Sequence, residues 1–169
     1  MFTLRAFKKR MPQHKARLRR FLSRIEKKAP KDLDSNTARL DTETWKEINC
    51  LECANCCKVM TPTYTSKDLK RISKHFKMSV AEFKKKWLYK DKSGDWMNTT
   101  TPCQFLQKDN KCSIYAIRPA DCSGFPHITK KKVIDYIHIQ KQNIEFCPAT
   151  FKVVEKMEKW WKEKIATKK

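Results

Sequence analysis

All eight cysteines of the chain lie between Cys50 and Cys147, and four of them occupy one run, Cys50-Leu51-Glu52-Cys53-Ala54-Asn55-Cys56-Cys57. The other four are Cys103, Cys112, Cys122 and Cys147, and both flanks lack thiols. A chain carrying so many thiols in one stretch must either cross-link them or give them to inorganic centres. The N-terminal Met1-Phe2-Thr3-Leu4-Arg5 is interrupted by charge before an apolar export segment can form. No run of about 18 apolar residues is present for a membrane span. These features predict a cytoplasmic, reducing location, where C-x2-C spacing signals ligands and not a disulfide framework.

Two glycines, 40% hydrophobic and 34% charged residues predict a helical chain with a modest core. A metal centre supplies stability that such a core lacks. The expected fold is a single small metal-stabilised domain, mainly α with a small β-hairpin. Residues 1–31 read as a basic N-terminal helix or extension, and residues 32–169 as the cysteine-cluster metal-binding domain. The formal charge is +21, from 39 basic and 18 acidic residues. Two divalent ions in four-thiolate sites, or two cubane clusters, lower it by about four units either way. Charge therefore does not separate zinc from iron–sulfur. A surface this basic raises the question of an anionic partner, nucleic acid or lipid, against the ordinary reading of a solvated lysine-rich face.

Within 1–31, twelve bases face one acid, Glu26. Leu18, Phe21, Leu22 and Ile25 recur at helical spacing and form a narrow apolar stripe. That stripe can dock on the domain, lie on anionic lipid or nucleic acid, or belong to an organellar presequence. Ala29-Pro30 ends this helix. Asp34 or Ser35 caps a second one running to Asn49, with Leu40, Trp45, Ile48 and Leu51 as its apolar face, straight into Cys50. Further helices start at Ser66-Lys67-Asp68, burying Leu69, Ile72 and Phe76 beside a partly buried His75, and at the capping box Ser79–Glu82, burying Phe83 and Trp87. Turn residues between Lys90 and Lys111 predict a hairpin, with Cys103 and Cys112 on facing arms around Asp109-Asn110. Ile114–Ile117 suits one helical turn, and Cys122-Ser123-Gly124-Phe125-Pro126 a tight loop. Residues 130–140 are ambiguous between helix and strand. Cys147-Pro148 opens the last helix, whose N-terminus is expected to lower the Cys147 pKa. Phe151, Val154, Met157, Trp161 and Ile165 form its buried stripe.

Structural zinc takes four thiolates, usually as two C-x2-C-like pairs, and here the second pair is missing. Cys50, Cys53 and Cys56 with a distant Cys147-Pro148 instead follow the ferredoxin-like ligand pattern for a four-iron cubane. That leaves Cys57, Cys103, Cys112 and Cys122 as a second set. Adjacent residues point apart on a helix or around a metal, so Cys56 and Cys57 are expected to serve different centres. His127 is the histidine nearest the cysteines in sequence and a candidate ligand or donor. Lys58 and Arg118 lie beside ligands and can offset thiolate charge.

The run 50–57, with Asp109-Asn110-Lys111-Cys112-Ser113-Ile114-Tyr115, Arg118-Pro119-Ala120-Asp121-Cys122 and Cys147-Pro148-Ala149, resembles the CxxCxxCC (YkgJ-like) cysteine-cluster family of zinc- or iron-chelating domains. The resemblance spans roughly residues 35–165 and implies a cytoplasmic bacterial protein whose eight cysteines bind zinc or an iron–sulfur cluster. Flagellin lysine N-methylases look like longer relatives, which raises a cluster-dependent protein-modifying enzyme as the alternative. The family often has arginine after the cysteine of its R-P-x-x-C motif, where this chain has Ser123. Three functions follow: a metal-handling, redox or accessory protein; a cluster-dependent enzyme; or a zinc-stapled module binding nucleic acid or another anion. No phosphate loop, G-x-G-x-x-G or Ser/His/Asp constellation supports other enzyme classes.

Overall fold

A computed structural model describes residues 2–130 and 132–167. The fold is mostly helical (62%) with a small three-stranded antiparallel sheet. The chain forms two compact units, one from Met1–Cys53 with Pro126–Lys169, the other from Ala54–Phe125. Each buries its own apolar cluster.

The first unit is built on α1 (Leu4–Lys27), α2 (Leu33–Trp45) and α9 (Pro148–Ala166), joined by the short α8 (Ile137–Asn143). Thr3 caps α1 by accepting the Ala6 N–H at 3.2 Å. The predicted stripe of Leu18, Phe21, Leu22 and Ile25 is buried, and Phe7, about three turns earlier on the same side, is buried with it. All five pack with Phe151, Val153, Val154 and Met157 of α9 and Ile137 of α8. The stripe therefore docks within the unit, and these apolar side chains are not offered to lipid. The edges of α1 are tied by ion pairs: Arg10 to Glu155 at 2.7 Å, Arg17 to Glu158, and Lys15 and Arg19 to Glu145 at 2.8 and 2.7 Å. Pro12 sits inside this helix and removes one backbone donor from its ladder.

Several details differ from the expectations. The second helix begins at Leu33, with Asp32 at the N-cap and its carboxylate paired to Lys164. The expected cap, Asp34, accepts the Val133 N–H at 2.8 Å instead. A turn of residues 46–49 separates α2 from the one-turn α3 (Cys50–Cys53), so the helix does not run into Cys50. Leu40 and Ile48 are buried, but Leu51 is exposed and faces solvent. Residues 133–143 are helical, as a 3-10 turn followed by α8. Ile165, in the last turn of α9, is exposed as well.

The second unit holds α4 (Asn55–Val59), α5 (Ser66–His75), α6 (Val80–Trp87), α7 (Ala120–Gly124) and the sheet. Strands β2 (Leu88–Lys90) and β3 (Trp96–Asn98) form a hairpin that turns at residues 91–95, with Leu88 opposite Asn98 and Lys90 opposite Trp96. Gly94 takes φ 90° in its turn, a conformation suited to glycine. Around Asp109-Asn110 the described residues form only an isolated Leu106–Cys112 bridge, so Cys103 and Cys112 are not on facing arms there. A third strand, β1 (Thr63–Tyr64), pairs with the far edge of β3. The Ser79–Glu82 capping box is present, and a second box joins Thr65 and Asp68 one residue before the expected start. His75 is exposed, not partly buried, with its ring edge-on to Phe76 at 5.1 Å. Gly124 ends a helical turn without a positive φ, so the predicted tight loop at 122–126 is helix over its first half.

Phe151 is fully buried and touches the rings of Phe2 at 6.2 Å and Phe7 at 5.5 Å. Phe151→Ala is expected to lower unfolding free energy by about 3–5 kcal/mol in a denaturant titration. A loss below about 1 kcal/mol would mean that α9 does not anchor this core.

Candidate metal centre

The cysteine run breaks at Ala54, which adopts a left-handed φ of 44° between α3 and α4. That reversal places Cys50 and Cys53 on α3, and Cys56 and Cys57 on α4. The Cys56 and Cys57 Sγ atoms lean towards each other at 4.0 Å, so the two side chains do not point apart as a helical wheel requires. All eight cysteines are thiols, and only Cys147 is buried.

The second unit gathers Cys57, Cys103, Cys112 and Cys122 within electrostatic reach of one another. Burial raises the Cys122 thiol well above its ordinary value, and Cys57, Cys103 and Cys112 push it further. Burial also raises Cys103 and Cys112, and Cys57 adds to both shifts. Cys57 runs the other way, to about 7, held down first by the Cys56 thiol and also by Lys58, against its own burial. Arg118 lowers Cys112, so both bases flagged in the sequence act on thiols. Among the described residues, no three His, Cys, Asp or Glu side chains stand at ligating distance around one point. Ligation therefore requires the thiols to turn inward. Four half-buried thiols carried by a helix, two loops and a second helix are a donor set that suits zinc or iron.

Local hydrogen bonds explain how each thiol is held. The Cys103 N–H donates to the Cys57 carbonyl at 2.8 Å, joining two of the four directly. Cys112 bridges Leu106 across a turn in which Gln107 N–H donates to Lys111 O and Asn110 takes φ 67°. Buried Asn98, at 1% exposure, accepts from Tyr64 Oη at 2.7 Å and Gln104 Nε2 at 3.0 Å. Its amide then donates to Cys103 Sγ at 3.4 Å, an N–H···S contact of the kind that orients a ligand. Asp68, also 1% exposed, ties α7 to α5. One carboxylate oxygen accepts from Arg71 at 2.6 Å and the Ala120 N–H at 3.1 Å; the other accepts from Thr65. Arg71 continues to the Arg118 carbonyl at 2.9 Å, and Asp121 accepts the Thr63 N–H at 3.1 Å. The turn carrying Cys122 is thus clamped from both sides. Asn98 did not stand out in the sequence, and Asp68 was read there only as part of a helix start, although the Thr65–Asp68 spacing is a readable capping signal.

In the first unit Cys50 is exposed, Cys53 half-buried and Cys147 buried at the N-cap of α9. Burial pushes Cys147 up to about 11, overriding the Ala149 and Thr150 groups that lower it, so the expected depression by the helix N-terminus does not occur. The Cys50 charge raises it further, which brings these two thiols into electrostatic reach. A cavity of about 150 Å³ lies beside Cys53 and Pro148, lined also by Asn49 and Glu52. His127 is buried in the same unit at φ 61°, its ring tilted 6.5 Å from that of Tyr136.

Residues 49–148 match the family described as "CxxCxxCC: Putative zinc- or iron-chelating domain". The chain belongs to this family. A relative from Methanocaldococcus jannaschii, named "Uncharacterized protein MJ0661", is 33% identical over 82 residues, covering 47% of this chain and 44% of the relative. The chain therefore spans less than half of that relative's length. No solved structure matches the chain. The match encloses every cysteine and binds the chain to metal chelation in general terms.

Asp68 yields a pH prediction. Burial alone would raise its pKa, but Thr65, Arg71 and the Ala120 N–H together hold it below the ordinary carboxylate value. Its contribution to stability is therefore present above the unfolded pKa and lost as pH falls through the folded one. Asp68→Asn is expected to cost about 1–3 kcal/mol at neutral pH, with the gap from the parent closing below about pH 4. A gap that stays constant down to pH 2 would show that the carboxylate charge is not what clamps α7.

Proposed function

We propose that the chain is a metal-binding protein with two four-thiolate sets, serving metal handling, redox or accessory chemistry. Cys57, Cys103, Cys112 and Cys122 form one set. The observation that carries this is their gathering in one unit, where each raises the cost of ionising the next. Cys50, Cys53 and Cys147 belong to the other, with Cys56 as the fourth member on its ferredoxin-like spacing. That spacing favours a cubane iron–sulfur cluster there, and the second set suits a closed structural zinc or a further cluster. The donors are all sulfur, the ligand type shared by zinc and iron–sulfur centres.

A cluster-dependent protein-modifying enzyme is the second reading. It is favoured by the cavity beside Cys53, which leaves space for a small molecule next to a ligand. An enzyme needs such an open position, whereas a closed eight-thiolate arrangement serves structure or electron storage.

Anaerobic purification with metal, sulfide and visible-spectrum analysis of one sample tests the assignment. Iron with acid-labile sulfide and a brown colour supports clusters, and colourless protein with two zinc ions removes the redox role. Cys103→Ser and Cys122→Ser are expected to lose about half of the bound metal, and Cys50→Ser and Cys147→Ser the other half. If Cys103→Ser strips the Cys50 set as thoroughly as Cys50→Ser does, the partition is wrong.

A further inference from the structure

We infer that the outward face of α1 binds the phosphate backbone of double-stranded nucleic acid. On a helix of 3.6 residues per turn, Arg5, Lys9, Arg20 and Lys27 fall within about 60° of one another, opposite the buried stripe. All four are exposed, with Lys8 and Arg24 exposed at their sides. None of these six makes an ion pair among the described residues, whereas Arg10, Lys15, Arg17 and Arg19 along the edges are each paired. The acids that could neutralise the ridge are engaged elsewhere. Glu26 is held by Lys141, and Glu145, Glu155 and Glu158 by the edge bases.

Length and shape select the partner. The 24 residues of α1 make a straight-line reach of about 36 Å, close to one turn of B-form duplex. A row of unneutralised cations on that scale gains by releasing the counterions condensed on a polyphosphate. A bilayer is the weaker fit, because Phe7, Leu18, Phe21, Leu22 and Ile25 are 0–3% exposed in the core and cannot insert. The interaction proposed is with the phosphate backbone and is therefore sequence-independent. It does not depend on which metal the thiols hold.

The test uses the whole chain, metal-loaded, and fluorescence anisotropy of a labelled duplex of about 20 base pairs, two turns long. Arg5→Gln/Lys9→Gln/Arg20→Gln/Lys27→Gln is compared with Lys85→Gln/Lys90→Gln/Lys92→Gln/Lys108→Gln, which removes equal charge from exposed sites in the second unit. The ridge variant is expected to weaken binding at least tenfold at low salt and to flatten the log Kd against log salt slope by about 3–4. The control set is expected to leave both near the parent values. Arg5→Lys/Arg20→Lys keeps the charge and is expected to keep the slope, which separates charge from any change in folding. Equal weakening by both quadruple variants would overturn the proposal, as would no binding by the parent. Ridge-dependent retention on phosphatidylserine vesicles without duplex binding would overturn it in favour of a lipid surface.

Discussion

A thiol buried among other thiols resists ionisation twice over, once because burial disfavours its charge and again because each neighbour's charge opposes it. The second unit builds that conflict into its chemistry: Cys103, Cys112 and Cys122 are all shifted upward by burial and by Cys57. Without a cation, the set is poised as neutral thiols around a single more acidic member, Cys57. A divalent ion or an iron–sulfur core reverses both penalties at once, supplying positive charge where solvent cannot. Metal affinity in such a site rises with pH, since the thiols must give up protons to ligate. The same conflict recurs on a smaller scale at Cys147, whose position at a helix N-terminus does not compensate for complete burial.

The surrounding polar network makes sense as support for that centre. Buried amides and carboxylates are costly unless satisfied, and the carboxylate of Asp68 and the amide of Asn98 are well supplied with partners. Asp68 converts a helix cap into a tie between α5 and the turn carrying Cys122. Asn98 ends β3 and uses its amide to fix both Tyr64 and the Cys103 sulfur. Positions set by backbone and by saturated hydrogen bonds persist as the thiols turn to ligate, so only short side-chain rotations remain to be ordered.

Local signals in the sequence were read well because their partners lie within a few residues. The Ser79–Glu82 box and Cys147-Pro148 at a helix start both appear where spacing puts them. The apolar stripe of α1 was legible for the same reason, and the structure selects docking from among its readings. What escaped depends on distant segments. Strand β1 is two residues long and exists only because β3 offers an open edge. Asp34 gives up its expected capping role to Val133, 99 positions away. The break at Ala54 requires a left-handed residue that is not glycine, so no propensity rule announces it. It puts Cys56 and Cys57 on a helix separate from that of Cys50 and Cys53.

The composition of α1 goes beyond what the fold asks of it. Packing on α8 and α9 needs five apolar residues on one side and a polar surface on the other, and glutamate or glutamine would satisfy the second requirement. Instead Arg5 and Lys9, and Arg20 and Arg24, stand at i,i+4 spacing, where like charges cost about 0.2–0.5 kcal/mol per pair. The first turn holds no acid, so Arg5 and Lys8 oppose the helix dipole by a further few tenths of a kcal/mol each. The paired bases at the edges offset part of this through Glu145, Glu155 and Glu158, and Arg24 and Lys27 in the last turn favour the dipole, but among the described residues the outer row has no ion-pair compensation. A helix held in place by its apolar face and its edges can tolerate an unfavourable third face. Salt screens part of the repulsion retained there, and a polyanion of the kind proposed above would relieve it more fully, so the charge of this helix is better suited to binding than to folding.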